Sequence, residues 1–210
     1  NAVVNSLKTK KNIQLINHVN LQSLSHSDDF IHAVCNRLTI KSKLIIAADG
    51  KHSTVRNFLK TPIYSKNYNH NALVVNFHHT KNHNNTAHEL FFNSGPFAIL
   101  PLTGNRVSLV WTEPSASADR LIELDDSAFN GEMRERFGDF LGCVEVVGPR
   151  WCYPLSLHNA ETYIGQRLAL VGDAAHGMHP IAAQGLNLGF RDVAALFVQG
   201  GAEAALPEVG

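Results

Sequence analysis

The chain has 210 residues, of which 44% are hydrophobic and 17% charged, enough to bury a core as one large domain or two small ones. Basic and acidic side chains cancel to a formal net charge of zero, which excludes the basic stripe of a nucleic-acid binder and a polybasic membrane anchor. Cys35, Cys143 and Cys152 form no Cys-x-x-Cys pair, and neither a signal peptide nor an uninterrupted apolar span occurs, so a soluble protein of a reducing compartment is expected.

The elements follow in chain order. Asn1 to Lys10 reads as the end of a helix, and "IQLINHV" and "FIHAV" read as short strands. "KLIIAADG" is a compact apolar run stopped by Asp49-Gly50, as expected of a buried strand reaching a turn. Ser53 is placed to cap a short helix through Phe58, with Pro62 closing the unit. From Tyr64 to Trp111 the runs "ALVVNFHH", "HELFFN", "PFAILPL" and "RVSLVW" alternate with turn residues and predict an antiparallel sheet. In "DDSAFNGEMRERFGDFLG", Phe129, Met133, Phe137 and Leu141 recur at four-residue intervals and predict an amphipathic helix. "RWCYPLSL" reads as another strand, "RLALVGDAAH" as a buried one, and a helix follows Gly185. Every lysine lies at or before Lys81, and asparagine thins out after Asn93, a shift with no physical account.

Strand–turn–helix, a sheet-rich insert, then strand–turn–helix again is the pattern of an α/β nucleotide-binding layer interrupted by a second domain. The expected fold is therefore α/β (α+β overall), part of a Rossmann-like nucleotide-binding domain interrupted by an antiparallel-sheet domain. The boundaries read as 1–62, 63–160 and 161–210.

The last turn carries the most chemistry. A parallel strand ending in Gly172-Asp173 sets a carboxylate at the carboxyl edge of a sheet, where α/β proteins bind ligands. Gly172 permits close backbone approach, and Asp173 can accept a hydrogen bond from a polyol. Pro180 stiffens the next turn, and the helix beyond offers backbone N–H groups at Gly185 to Asn187 to an anionic oxygen. Leu186, Phe190, Val193 and Phe197 fall on one side of this helix and are expected to face the core. A flavin nucleotide would use the acid, the stiff turn and the helix start together.

"GDAAHGMHPIAAQGLNLGFRDVAAL" resembles the second flavin motif of the class A FAD-dependent aromatic hydroxylases, and "LIIAADGKHSTVR" resembles their Asp-Gly motif. Within that family "GPFAILPL", "NRVSLVW" and "RERFGDFLG" are most similar to the ubiquinone-biosynthesis hydroxylases. The resemblance implies that Asp173 bonds the ribityl chain of FAD, with Gly172 giving access. It implies that Pro180, Gln184, Gly185, Leu186 and Asn187 border the flavin ring, and that Asp49, Gly50, Ser53 and Arg56 form the Asp-Gly motif. The implied reaction is hydroxylation of an aromatic ring through a flavin C4a-hydroperoxide, with NAD(P)H or a protein as electron donor. A polyprenylated phenol or quinol precursor is the implied substrate, with ubiquinone-pathway proteins as partners. The implied location is the cytoplasm or mitochondrial matrix, with peripheral membrane contact. No general base is nominated: His176 and His179 are read as turn and packing residues, and no metal is expected.

Two departures from the family pattern stand out. The GxGxxG loop that holds the FAD diphosphate in that family is absent, so the resemblance implies an internal piece of a longer hydroxylase that holds FAD weakly by itself. Ala183 stands where glycine is expected in the GQG pattern, and the smallest side chain with negative φ would make the change mild. Two rival readings stand beside this one. A metal site at Asp173, His176 and His179, or among His78, His79, His83 and His88, lacks any Cys pair or HExxH. A catalytically inactive remnant acting as an interaction piece is the other.

Overall fold

A computed structural model describes residues 2–204. They divide into two compact units. The first holds the chain up to Ile63, Ala160–His176 and the helix from Leu188; the second holds Tyr64–Asn159 and Gly177–Asn187.

In the first unit, α1 (Ala2–Lys8) precedes a three-stranded antiparallel sheet of β1 (Leu21–His26), β2 (Ile31–Cys35) and β3 (Thr39–Ser42). β4 (Ile45–Ala47) and α2 (Thr54–Leu59) follow. The expected strand "IQLINHV" does not form. Ile13, Leu15 and Ile16 are 40–45% exposed there, and without a neighbouring strand a short apolar run has nothing to pair with. Ser53 caps α2 as expected: it is fully buried, and its Oγ accepts the Arg56 N–H at 2.9 Å.

The second unit is built on β5 (Ile63–His79), β6 (His88–Phe92), β7 (Gly95–Leu102), β8 (Arg106–Pro114) and, after two helices, β9 (Val144–Ala160). The helices are α3 (Ser115–Glu123) and α4 (Asp126–Phe137). The antiparallel register pairs Phe97 with Trp111, Ile99 with Leu109, and Val107 with both Phe77 and Pro101. Because strand side chains alternate faces, this register gathers Phe77, Phe97, Ile99, Val107, Leu109 and Trp111 on one side. All are at most 1% exposed, and they pack with Leu121, Phe129, Met133 and Phe137. Each such side chain contributes about 1.5–3 kcal/mol of burial. Leu141 joins this core although the helix has already ended: Gly138 at φ 75° stops α4, and the turn beyond returns the leucine inward.

β10 (Ile164–Gly165) and β11 (Leu168–Leu170) belong to the first unit, and β12 (His176–Gly177) follows in the sequence. β11 pairs with β4 in parallel, Leu168 opposite Ile45 and Leu170 opposite Ala47, while β10 completes the small sheet antiparallel to β11. The second sheet runs β12-β9-β5-β8-β7-β6. α5 (Gly185–Ala204) ends the described chain.

Two expectations are corrected here. Leu186, Phe190, Val193 and Phe197 do not enter a core among the described residues; they are 51–81% exposed. The less exposed face of α5 carries Gly189 and Asp192, and its close neighbour is the turn at Gly172. A Cβ added at Gly189 would stand 3.4 Å from the Gly172 Cα. Ala183, expected at negative φ, lies at φ +49°, in the left-handed region that crowds a β-carbon. Ala183→Gly should therefore stabilise the second unit by about 0.5–1 kcal/mol, the relief of strain being partly offset by glycine's greater unfolded-state entropy. A higher urea midpoint at unchanged slope would bear this out; a lower midpoint would contradict it.

Candidate functional site

The parallel pairing of β4 with β11 brings the two Gly/Asp turns to one edge of one sheet. Past the last paired residues, the Val171 N–H donates to the Ala47 carbonyl at 2.9 Å, so both chains leave the sheet side by side. Asp49-Gly50 then turns after β4, and Gly172-Asp173 after β11. Carboxyl edges of parallel strands are where open α/β sheets bind ligands.

The Asp49 turn is held by its own acid. Asp49 Oδ2 accepts the backbone N–H of Thr54 at 2.8 Å and of Val55 at 3.3 Å, and Gly50 supplies the turn at φ +83°. Arg56 is 6% exposed and joins the two turns: Nη1 donates to the Ala174 carbonyl at 2.8 Å and Nη2 to the Lys51 carbonyl at 2.7 Å. Its Nε is also buried but has no hydrogen-bond acceptor among the described residues.

The Gly172 turn is held from α5. Gly172, at φ +57°, donates its N–H to Asp192 Oδ2 at 2.8 Å, and the same oxygen lies 2.8 Å from His176 Nε2. The Tyr163 ring lies against His176 at 5.7 Å between centroids. Asp173 sits in the 3-10 turn Gly172–Ala174 with its side chain exposed at the sheet edge. Sequence reasoning singled out His176 as a turn residue but missed Gly189 and Asp192. Three apart on a helix, they share a face that flanks the apolar stripe, and no local pattern marks that face as the one meeting the Gly172 turn.

Of the residues singled out from sequence, Asp49, Gly50, Ser53, Arg56, Gly172 and Asp173 belong to the first unit. Pro180, Gln184, Gly185, Leu186 and Asn187 belong to the second. Pro180 opens the 3-10 turn Ile181–Ala183, and Asn187 Nδ2 donates to Gln184 Oε1 at 3.2 Å. Gly185 starts α5 with open space where a Cβ would be. The backbone N–H of Ile181 donates to His179 Nδ1, and the His179 ring meets Tyr68 edge-on at 5.1 Å. Burial, and secondly the charge of nearby His70, push the His179 pKa below 6.5.

The second unit also contains a cavity of about 460 Å³. Its floor is the sheet face opposite the core: Pro96, Ala98 and Leu100 of β7, with Val110 and Thr112 of β8. Pro180, Ile181 and Ala183 close one side, and Ala87 to Glu89 another. The alternation that buries Phe97 and Ile99 thus turns their neighbours into cavity wall. The size suits a small organic ligand. Among the described residues no group of three or more His, Cys, Asp or Glu could hold a metal ion. No helix among them is long and apolar enough to cross a membrane.

A mixed α/β architecture with paired Gly/Asp turns at the carboxyl edge of a parallel strand pair is that of FAD-dependent monooxygenases. The chain matches the FAD binding domain family over residues 3–199 and belongs to it. It is 49% identical over 158 residues to the ubiquinone hydroxylase UbiL of Rhodospirillum rubrum, covering 75% of this chain and 37% of that protein. It is 36% identical over 157 residues to the 3-demethoxyubiquinol 3-hydroxylase of Escherichia coli K12, covering 75% and 40%. With the human mitochondrial ubiquinone biosynthesis monooxygenase COQ6 it shares 33% over 192 residues, covering 75% and 41%. The chain thus spans about two-fifths of the length of these relatives. Among solved structures, PqsL of Pseudomonas aeruginosa, a probable FAD-dependent monooxygenase, superposes with a TM-score of 0.75 at 21% identity, over 93% of this chain and 56% of that one. OxyS anhydrotetracycline hydroxylase of Streptomyces rimosus gives 0.67 at 22%, over 92% and 40%. These two likenesses concern the fold.

Proposed function

We propose that this chain supplies the FAD-holding sheet edge and the substrate sheet of an aromatic-ring hydroxylase acting on a ubiquinone precursor, a polyprenylated phenol or quinol. The carrying observation is the parallel pairing of β4 with β11, which sets both Gly/Asp turns at one carboxyl edge. On this reading, residues 1–62 and 161–210 serve the cofactor and 63–160 the substrate. Electrons come from NAD(P)H or a protein donor, and work on a tailed precursor brings peripheral membrane contact and ubiquinone-pathway partners.

The residues of the edge fit a ligand rich in hydroxyls. Asp173 presents an exposed carboxylate, a Cβ at Gly50 would meet nothing within 4 Å, and Arg56 Nε is a buried donor with no acceptor among the described residues. FAD, when bound, supplies the oxygen-transfer chemistry itself. The chain's part is to hold and orient. Asp173 accepts from the ribityl hydroxyls, Gly172 keeps the backbone low beside them, and the Asp49–Arg56 segment fixes the neighbouring turn. Pro180, Gln184, Gly185, Leu186 and Asn187 of the second unit would border the ring, and the N–H groups at the start of α5 would favour negative charge on it. The apolar cavity takes the aromatic substrate and excludes water. The family match and the hydroxylase relatives favour this reading over a non-catalytic interaction piece.

FAD titration of the 210-residue chain, followed by flavin fluorescence, tests it. Saturable binding is expected, weakened about tenfold or more in Asp173→Ala, as for loss of a hydrogen bond to a charged group. Binding that ignores this substitution would remove Asp173 from the site, and no binding at all would deny the chain a working flavin edge.

A further inference from the structure

We infer that Glu89 is the residue that selects the substrate, holding a hydroxyl-bearing ring in the second-unit cavity through a hydrogen bond that an ether cannot make. The inference rests on the cavity being the substrate site and adds the group that reads the substrate's polar end.

The sheet register singles out this side chain. Glu89 stands opposite Ala98, and Ala98 stands opposite Val110, so all three project from the same sheet face. That face is the cavity floor. His88 also borders the cavity, but it pairs with Ile99, whose side chain is in the core, so its ring turns to the other face. There it packs against Phe140 at 4.7 Å between centroids. Of the cavity's lining residues Glu89, itself an exposed residue, is therefore the one that brings a charged group to a floor of Pro96, Ala98, Leu100, Val110 and Thr112 that is apolar apart from the threonine.

Its carboxylate is uncommitted. No hydrogen bond or ion pair engages Glu89 among the described residues, whereas Glu113, next in sequence to the cavity's Thr112, is engaged through Oε1 by Trp111, Ser94 and Arg136. A carboxylate is an acceptor without a donor. Beside apolar walls it matches a ligand that is flat and apolar over most of its surface and offers an O–H at one point. A phenol has that donor; its methyl ether has the same shape without it. Discrimination by a missing hydrogen-bond partner is much steeper than discrimination by one methylene.

Calorimetric titration of the 210-residue chain with 4-pentylphenol and with 4-pentylanisole tests the inference. The phenol should bind about tenfold or more tightly than the ether, and Glu89→Leu should abolish that preference by weakening the phenol alone. Ala98→Trp, which fills the cavity floor, should block both ligands. Equal binding of phenol and ether, with no effect of Glu89→Leu but a block by Ala98→Trp, would overturn the role of Glu89 and leave the cavity as the ring's site. Phenol binding that survives Ala98→Trp, or no phenol binding, would remove the cavity reading and the inference with it. FAD binding at the first unit's sheet edge is read separately and distinguishes either failure from failure of the flavin assignment.

Discussion

Glu113→Ala should cost the second unit about 3 kcal/mol, the lower part of the range for leaving one partner of a buried ion pair alone. The Glu113 carboxylate is 5% exposed, and a single oxygen, Oε1, accepts from Trp111 Nε1 at 2.7 Å, Ser94 Oγ at 3.0 Å and Arg136 Nη2 at 3.1 Å. Removing it strands the indole N–H in the core and leaves the Arg136 guanidinium, which stacks on the Trp111 ring at 4.3 Å, without its inner anion. Arg136 is 23% exposed and retains Glu132, so part of its charge stays solvated, which argues for the lower figure. Glu113→Gln keeps an acceptor for Trp111 and Ser94 and should cost clearly less. The control is Glu132→Ala: its pair with Arg136 is more exposed, and the loss should stay within about 1 kcal/mol. Urea unfolding followed by tryptophan fluorescence in a Trp151→Phe background reports on Trp111. Equal losses in Glu113→Ala and Glu132→Ala would show that the buried oxygen is not what ties α4 to the sheet.

Arg56→Lys should loosen the paired turns without unfolding the second unit. Arginine reaches the carbonyls of Ala174 and Lys51 with two separate nitrogens of one rigid fork, and a lysine ammonium on a flexible stem cannot reproduce that geometry. Loss of one charged hydrogen bond costs about 1.5–3 kcal/mol, enough to raise the opening rate of the turns by more than tenfold. Amide hydrogen exchange should quicken at residues 50–56 and 172–176 and stay unchanged on β7 and β8. If the edge holds FAD as proposed, FAD affinity should fall in step, because the turns would then be ordered only on binding. Unchanged exchange in both turns would mean that the backbone pairing of β4 and β11 suffices to fix them.

What the sequence disclosed depended on whether a local pattern was answered by a local structure. The runs "KLIIAADG" and "RLALVGDAAH" became β4 and β11 because a short apolar run ending in a Gly/Asp turn leaves the backbone few alternatives. Phe129, Met133 and Phe137 are buried on one face of α4 as their spacing demands, and Ser53 caps α2. α3 was missed. Its segment "SASADRLIE" follows Pro114, has no side-chain cap, and buries only Ala118 and Leu121, too sparse a stripe to be read in advance. The apolar side of α5 misled for the opposite reason: its periodicity is real, but which side of a helix meets a neighbour depends on long-range packing, here the approach of Gly189 to Gly172. Asp192 was invisible for the same cause, since its partners Gly172 and His176 are brought to it only by the fold. Ala183 shows a limit of another kind: its composition is read in one letter, its φ only in three dimensions.

The parallel pairing of β4 with β11 also sets an order of events during synthesis. Over half the chain lies between Ile46 and its partner Ala169, and the cost of closing that loop must be met before the pair gains any stability. The core of the second unit comes from the contiguous stretch Tyr64–Asn159, so that core is synthesised in full before β11 emerges, although Gly177–Asn187 joins the unit later. Once folded, it shortens the effective span between the waiting β4 and the emerging β11. Until β11 arrives, β4 exposes an open strand edge bearing Ile45 and Ile46, so the nascent chain spends that interval with an unpaired apolar strand open to wrong partners.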